Sequence, residues 1–418
     1  MGLHQYEVLN VIGEGAYGVV LRCRDKETNT IVAIKRFKSS EDDEAIERIS
    51  IREVKMLRLM QDCSNVVKLF KAFKHKGRLY LVFGYAEHNM LEVLEESPKG
   101  IPLHRLRLFV YQILKALAFV HQNGVLHRDI KPENLLVTKD DTVLLCDFGF
   151  ARKHNASEAV VEDVPLTQYV ATRWYRSSSL LLGIPYTSAV DIWATGCVMA
   201  ELATGEPLFP GDSDVDQLNL IVSSIGPLPS NVNDHFQRNP RFRSLFNRGK
   251  PPNRDEFFRR FQSVLSPSGV DLLTKMLDLD ENNIISAADA LKHPFFEGIA
   301  TEPATAPSSK SESLPLTRQK SLTSINTLTP TPSRGDRSFL PAVNTFESSV
   351  MKNSRNRRMA HLFRTGLSNN GVPPAPVAPA DPYGFGAIAK GPSVPNTSLR
   401  GFNTGYSKNT HLFRHRRM

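Results

Sequence analysis

The residues His127-Arg128-Asp129-Ile130-Lys131-Pro132-Glu133-Asn134 set an imidazole, a guanidinium, two carboxylates, an ammonium and an amide within eight positions. Eighteen residues beyond Asp129 comes Asp147, heading Asp147-Phe148-Gly149 behind the apolar run Val143-Leu144-Leu145-Cys146. These residue types in this order suit phosphoryl transfer, where positioning and charge neutralisation make most of the catalysis. Asp129 would accept the hydrogen bond of an incoming hydroxyl, and Lys131 would neutralise the moving phosphoryl group. Asn134 and Asp147 offer oxygen ligands to Mg2+, a hard cation suited by carboxylate, amide and water oxygens. Each piece alone reads as a polar turn; the set does not.

Two further signals lie upstream. Gly13-Glu14-Gly15-Ala16-Tyr17-Gly18-Val19 spaces three glycines between strand-like runs, so that backbone N–H groups can approach a phosphate chain with no Cβ in the way. By itself this is also the pattern of a glycine-rich hairpin. The chain continues as a strand, Val19-Val20-Leu21, which argues against a dinucleotide-binding fold, where a helix would open. Val32-Ala33-Ile34-Lys35 then puts a lysine in an apolar strand. A helix follows in which Ile46, Ile49, Glu53, Leu57 and Met60 share one face. Glu53 is the one carboxylate on that stripe, a costly place for a charge unless it is paired. Lys35 is the expected partner, with its ammonium held toward phosphate oxygens.

These groups need elements to carry them. Alternating runs at Tyr6–Leu9, Gly18–Leu21, Ile31–Ile34 and Leu79–Phe83 predict strands, interrupted by one helix over about Asp43–Met60. Residues 103–296 read mostly helical, for example Leu106–Gln122 and Ala189–Thr204, with a turn-rich interruption from Gly226 to Pro252. A small sheet with one helix followed by a larger helical region predicts a two-lobed α+β arrangement. In residues 297–418, 13 prolines and 15 serines stand among only 23 Leu, Ile, Val and Phe, a composition poor in core-forming residues. That segment holds 16 Lys and Arg against 6 Asp and Glu, so it carries the whole of the +9 net charge, the rest being near neutral. It reads as a basic, disordered tail, and nothing in the front part calls for nucleic acid. No apolar run reaches the roughly 18 residues of a membrane span, and Met1–Glu7 has the pattern of neither a secretory nor a transit signal. Tyr6 stands where myristoylation at Gly2 would want Ser or Thr.

These four blocks, with Asp191-Ile192-Trp193-Ala194-Thr195-Gly196 beyond them, resemble the eukaryotic protein-kinase pattern over about residues 6–296. Val170-Ala171-Thr172-Arg173-Trp174-Tyr175-Arg176 and the insert around Gly226-Pro227-Leu228-Pro229 are similar to the branch of cyclin-dependent and mitogen-activated kinases. Asn89-Met90-Leu91-Glu92, Cys146–Arg152 and Asn239-Pro240-Arg241-Phe242 look most like the cyclin-dependent-kinase-like family. The resemblance implies a small antiparallel sheet lobe with hinge over 1–86, a mainly helical lobe over 87–296, and the tail. It implies ATP and Mg2+ as cofactors and proteins as substrates. The nucleotide would lie under Ile12, Gly13, Glu14, Gly15, Ala16, Tyr17, Gly18, Val19 and Val20, with Phe83 as gatekeeper and Tyr85 and Ala86 near the adenine. Gly84 stands where relatives often carry an acid. Lys131 and Thr172 favour serine or threonine over tyrosine as acceptor, and Val170-Ala171 with Arg176 suggests proline or a small residue after it.

Thr167-Gln168-Tyr169 resembles a dual-phosphorylation site, served by an upstream kinase or by autophosphorylation. Arg52, Arg128 and Arg152 match the arginines that gather a phosphothreonine, and Arg176 suits a phosphotyrosine. The helix before Glu53 lacks the cyclin-binding sequence, so no cyclin is expected. One departure stands out. Ser177-Ser178-Ser179 replaces the Ala-Pro-Glu or Ser-Pro-Glu triplet that closes the activation segment, and Ile284 stands where the glutamate's arginine partner would be. Losing both members of a buried pair can be near neutral where losing one is not, so one anchor exchanged for another fits, as does a pseudokinase scaffold. Without the triplet's proline, a looser activation segment is expected.

The four cysteines, Cys23, Cys63, Cys146 and Cys197, form no CxxC pair, pointing to reduced thiols in a cytoplasmic or nuclear protein. Cys146 reads as a buried thiol. In the tail, Thr329-Pro330-Thr331-Pro332 and Arg318-Gln319-Lys320-Ser321 are candidate phosphosites. His361-Leu362-Phe363-Arg364 recurs at His411-Leu412-Phe413-Arg414, as a docking repeat or by chance. A basic tail also suits acidic surfaces such as microtubules, and the resemblance includes kinases of cilia.

Overall fold

The computed structural model describes residues 2–15, 17–38, 44–154, 172–230, 232–233 and 253–299, with 44–47 by their backbone. The tail beyond 299, Ala16 and the Thr167–Tyr169 site lie outside the described residues.

Period-two alternation builds the front sheet. Five antiparallel strands, β1 (Tyr6–Glu14), β2 (Gly18–Asp25), β3 (Ile31–Phe37), β4 (Leu69–His75) and β5 (Arg78–Gly84), stand in the order β1-β2-β3-β5-β4. Successive side chains point to opposite faces of a strand, and here both faces are covered. Val32 and Ile34 join Tyr6, Leu21, Cys23, Tyr80 and Val82 in an outer cluster. Leu81 and Phe83 turn the other way, into the main core with Phe37, Met56, Leu57 and Met60. That is why β5 reads as an unbroken apolar run. The sequence did not single out β4: its lysines break the apolar alternation, and Phe70 on this edge strand is 62% exposed.

Helix α1 (Glu44–Leu59) lies between β3 and β4 in the chain and packs its Leu57 face under the sheet. A short strand β6 (His88–Asn89) leads into α2 (Met90–Glu96), where Asn89 and Glu92 cap each other reciprocally. Helix α3 (Leu103–Gln122) buries Leu106, Phe109, Val110, Ile113, Leu114, Leu117 and Val120, one stripe at helical spacing. Truncating Leu117 to alanine would cost about 2–5 kcal/mol. The chain then turns at Gly124, whose φ of 64° suits glycine. The short strands β7 (Val125–Leu126), β8 (Leu135–Val137), β9 (Val143–Leu145) and β10 (Arg152–Lys153) follow. β7 pairs with β10, and β6-β8-β9 form a small sheet. Those strands hold the two polar motifs at their ends.

The rest is helical: α4 (Ser178–Leu182), α5 (Ala189–Thr204), α6 (Asp214–Ile225), α7 (Arg254–Arg259), α8 (Pro267–Met276) and α9 (Ala287–Ala290). Helix α5 is buried on every side from Ala189 to Ala203, as a helix apolar over most of its circumference must be. It runs through the centre of the lobe between α3 and α8. Among the described residues no helix is long and apolar enough to cross a membrane.

Candidate active site

The glycine-rich turn joins β1 to β2. The Gly15 N–H donates to the Gly18 carbonyl at 2.9 Å, closing the hairpin between the two strands. A Cβ on Gly18 would lie 2.3 Å from the Arg36 carbonyl oxygen, so only glycine lets β2 and β3 approach there; one on Gly15 would meet nothing within 4 Å. Gly13 and Glu14 face Val20 and Val19 across the hairpin, Ile12 is exposed, and the Tyr17 ring meets Phe150 edge-on at 5.9 Å. Phe83 pairs with Ala33 in the sheet and is buried. Tyr85 and Ala86 follow half-buried, with the Arg22 guanidinium over the Tyr85 ring.

Register aims the lysine. Lys35 is opposite Val20 on β2 and Leu81 on β5, on the face away from the outer cluster. Its Nζ donates to both oxygens of Glu53 at 2.8 Å and to Asp147 Oδ1 at 3.3 Å. Burial alone would lower the lysine's pKa, but the carboxylates of Asp147 and Glu53 outweigh it and raise it, so the ammonium stays charged. Burial pushes Glu53 up to about 7 against the pull of Lys35. Asp147 is held below the ordinary carboxylate value: burial raises it, and Lys35 and Lys131 more than offset that. Asp147 sits at φ 62°, its side chain accepting from the Gly149 N–H. The neighbouring Cys146 thiol is pushed up by burial and stays protonated.

The loop over His127–Asn134 comes close to the same place, near enough for the Lys131 charge to act on Asp147. Lys131 Nζ lies 2.7 Å from Asp129 Oδ2, and Asn134 Nδ2 donates to that oxygen at 2.8 Å. Burial would lower the Lys131 pKa, yet Asp129 and Glu133 hold it above its ordinary value. The Asp129 N–H donates to His127 Nδ1, and His127 Nε2 therefore carries the proton it gives the Cys146 carbonyl at 3.0 Å. Arg128 adopts φ 66°, a left-handed conformation strained for a non-glycine residue. Asp191 holds it there. The backbone N–H groups of His127 and Arg128 donate to its two oxygens at 2.9 and 2.7 Å, and His121 Nε2 lies 2.9 Å away.

Of the expected regulatory residues, Arg52 donates to the Gly149 carbonyl and Arg128 to the adjacent Phe150 carbonyl, while Arg152 opens β10 two residues later. Arg128 also reaches the Tyr186 hydroxyl at 2.6 Å. Arg176 follows Tyr175, whose hydroxyl bonds Glu201 at 2.7 Å. The far end of the activation segment is not loose in the way the missing triplet suggests. Ser177, Ser178 and Ser179 are all buried, and Ser177 caps α4 by accepting from the Leu180 N–H. The segment's middle, 155–171, lies outside the described residues.

Two carboxylates that brace this region, Asp191 and Glu281, do not stand out in the sequence as site residues. Asp191 stands in the mainly apolar helix α5, and a carboxylate there is the same kind of signal that singles out Glu53. Glu281, which meets the serine triplet, left no signal, because its contacts lie 94 and 104 residues away.

The site fits a magnesium nucleotide on its donor set. Among the described residues no cluster of three or more metal-ligating side chains exists. One carboxylate and one amide oxygen instead leave most of the shell to water and phosphate, as Mg2+ prefers. The partly exposed side chains of Asp147 and Lys35 supply the matching charges.

Residues 6–296 match the family described as the protein kinase domain. The chain is 49% identical over 296 residues to cyclin-dependent kinase-like 5 of Mus musculus, covering 71% of this chain and 31% of that protein. It is 42% identical to cyclin-dependent kinase-like 2 of Homo sapiens, covering 58% of it, and 40% identical to cyclin-dependent kinase-like 4 of Mus musculus, covering 84% of it. The match thus spans less than a third of the first of these relatives and under two thirds of the second.

Proposed function

The chain belongs to the protein kinase family, in its cyclin-dependent kinase-like group, and from that premise we propose that it transfers the γ-phosphate of ATP to serine or threonine in protein substrates. The observation that carries this reading is that Lys35, Glu53 and Asp147 form one bonded cluster and Asp129, Lys131 and Asn134 another, near enough for the Lys131 charge to help hold Asp147 ionised. ATP with Mg2+ supplies the transferable phosphoryl group when bound. Asp147 and the Asn134 oxygen would hold the metal, and Lys35, fixed by Glu53, would hold phosphate oxygens. Asp129 accepts the hydrogen bond of the acceptor hydroxyl and aligns it, while Lys131 lies beside it to neutralise charge on the moving group.

Phosphorylation of Thr167 and Tyr169 is proposed as the regulator, supported by Arg52 and Arg128 converging on the carbonyls of Gly149 and Phe150 at the start of that segment. Cytoplasmic or nuclear residence is proposed from the four free cysteines, and the basic tail as a docking element for acidic surfaces. The rival reading, a nucleotide-binding pseudokinase scaffold, draws on Ser177–Ser179 in place of the usual triplet. Label transfer from radioactive ATP to a protein acceptor separates the two. Wild type should transfer, and Asp129→Ala should lose about 10²–10⁴-fold in rate while still binding nucleotide. Wild type no faster than Asp129→Ala selects the scaffold.

A further inference from the structure

Glu281 lies in the loop between α8 and α9, and its carboxylate crosses to the end of the activation segment. Oε1 accepts from Ser177 Oγ at 3.5 Å, and Oε2 accepts from the Thr187 N–H at 3.2 Å and from Thr187 Oγ1 at 3.4 Å. Burial pushes its pKa up, and hydrogen bonds from Ser179, Thr187 and Ser177 offset part of that. No cation pairs with it among the described residues. Its charge is met by hydroxyl and amide donors instead. Ile284, three residues on, packs against the main core.

The donors on Glu281 lead to the chemistry. Ser177 caps α4 with the same hydroxyl. Thr187 follows Tyr186, whose hydroxyl bonds Arg128, the residue before Asp129. One carboxylate thereby ties the segment's end to the stretch that braces the catalytic loop. We propose that Glu281 is a positioning residue that fastens Ser177–Thr187 for engagement of the protein substrate, taking from the opposite strand of chain the place of the missing glutamate–arginine pair. The proposal rests on the kinase reading for its catalytic consequence, though the anchor itself does not.

The test uses the full chain with Glu281→Ala, Glu281→Gln and Ser177→Ala, measuring peptide and ATP kinetics beside amide hydrogen exchange. Glu281→Ala should lower kcat/KM for peptide by about 10–100-fold, the range for losing hydrogen bonds to a charged group. The KM for ATP should stay within about twofold, because nucleotide binding is remote from the anchor. The Thr187 amide should exchange faster, and Glu281→Gln, which keeps an acceptor oxygen, should recover part of both losses. Unchanged peptide kcat/KM in Glu281→Ala overturns the proposal. So does a loss shared equally by both substrates and left unrelieved in Glu281→Gln. If Glu281→Ala does not fold, Glu281→Gln and Ser177→Ala decide, and wild-type kinetics in both overturn it. If wild type labels no acceptor, the kinase reading fails, and Thr187 exchange alone then rules on the anchor.

Discussion

Asn134 Nδ2 donates to both the backbone carbonyl and the Oδ2 of Asp129, at 2.7 and 2.8 Å. Two acceptors on one atom fix which end of the amide is nitrogen, and so leave Oδ1 as the end available to a cation. Asn134 thus restrains Asp129, and in the proposed function it would also offer its oxygen to the metal.

Asn134→Ala should consequently fail in two ways. The Mg2+ concentration for half-maximal activity should rise by about 10–100-fold, the usual loss when a metal site's supporting contacts go. At saturating metal the rate should stay low, because Asp129 has lost its restraint. A Mg2+ titration of label transfer separates the two effects, and full rescue by metal would show that Asn134 only ligates.

Gly18 and Gly15 should respond differently to alanine. Gly18→Ala drives a Cβ to 2.3 Å from the Arg36 carbonyl, an overpacking worth about 1–3 kcal/mol, read as a lower melting temperature. Gly15→Ala places its Cβ in open space, so the melting temperature should hold and any loss should fall on nucleotide affinity. Equal destabilisation by both would contradict the hairpin geometry.

Asp191 links stability to pH. Burial raises its pKa, but the hydrogen bond and charge of His121, with the ring and backbone N–H of His127, bring it below its ordinary 3.8. A carboxyl with a depressed folded pKa gives stability that is present above its unfolded value and lost as pH falls through the folded one. Breaking this buried network with Asp191→Ala should cost about 3–5 kcal/mol at neutral pH. In urea titrations the gap from wild type should be constant down to about pH 5 and narrow only below about pH 4. A gap that narrows near neutrality would assign the effect to another group.

Replacing Thr167 by Ala and Tyr169 by Phe together should reduce peptide phosphorylation at least about tenfold if phosphate orders the segment through charge-assisted bonds to arginine. Undiminished turnover would remove the regulatory reading and leave the catalytic one standing.

Much of this site was legible in the chain because its residues break local rules. Lys35 interrupts an apolar strand, Glu53 interrupts an apolar stripe, and Asp129, Lys131 and Asn134 share one short run, so neighbours in sequence are neighbours in space. The β4 strand was not legible, since an edge strand needs no apolar alternation. Glu281 was not legible either. A glutamate among Asp280, Asn282 and Asn283 looks like any solvated turn, and only folding brings it to Ser177 and Thr187.

Helix α5 carries more than its own burial. Asp191 near its start holds the catalytic loop, and Glu201 near its end holds Tyr175. Parts of the enzyme far apart in the chain are thus moored to one rod, and they should come undone together. Amide protection at His127 and Arg128 should share a single opening free energy with the middle of that rod, making the lobe's floor one cooperative unit.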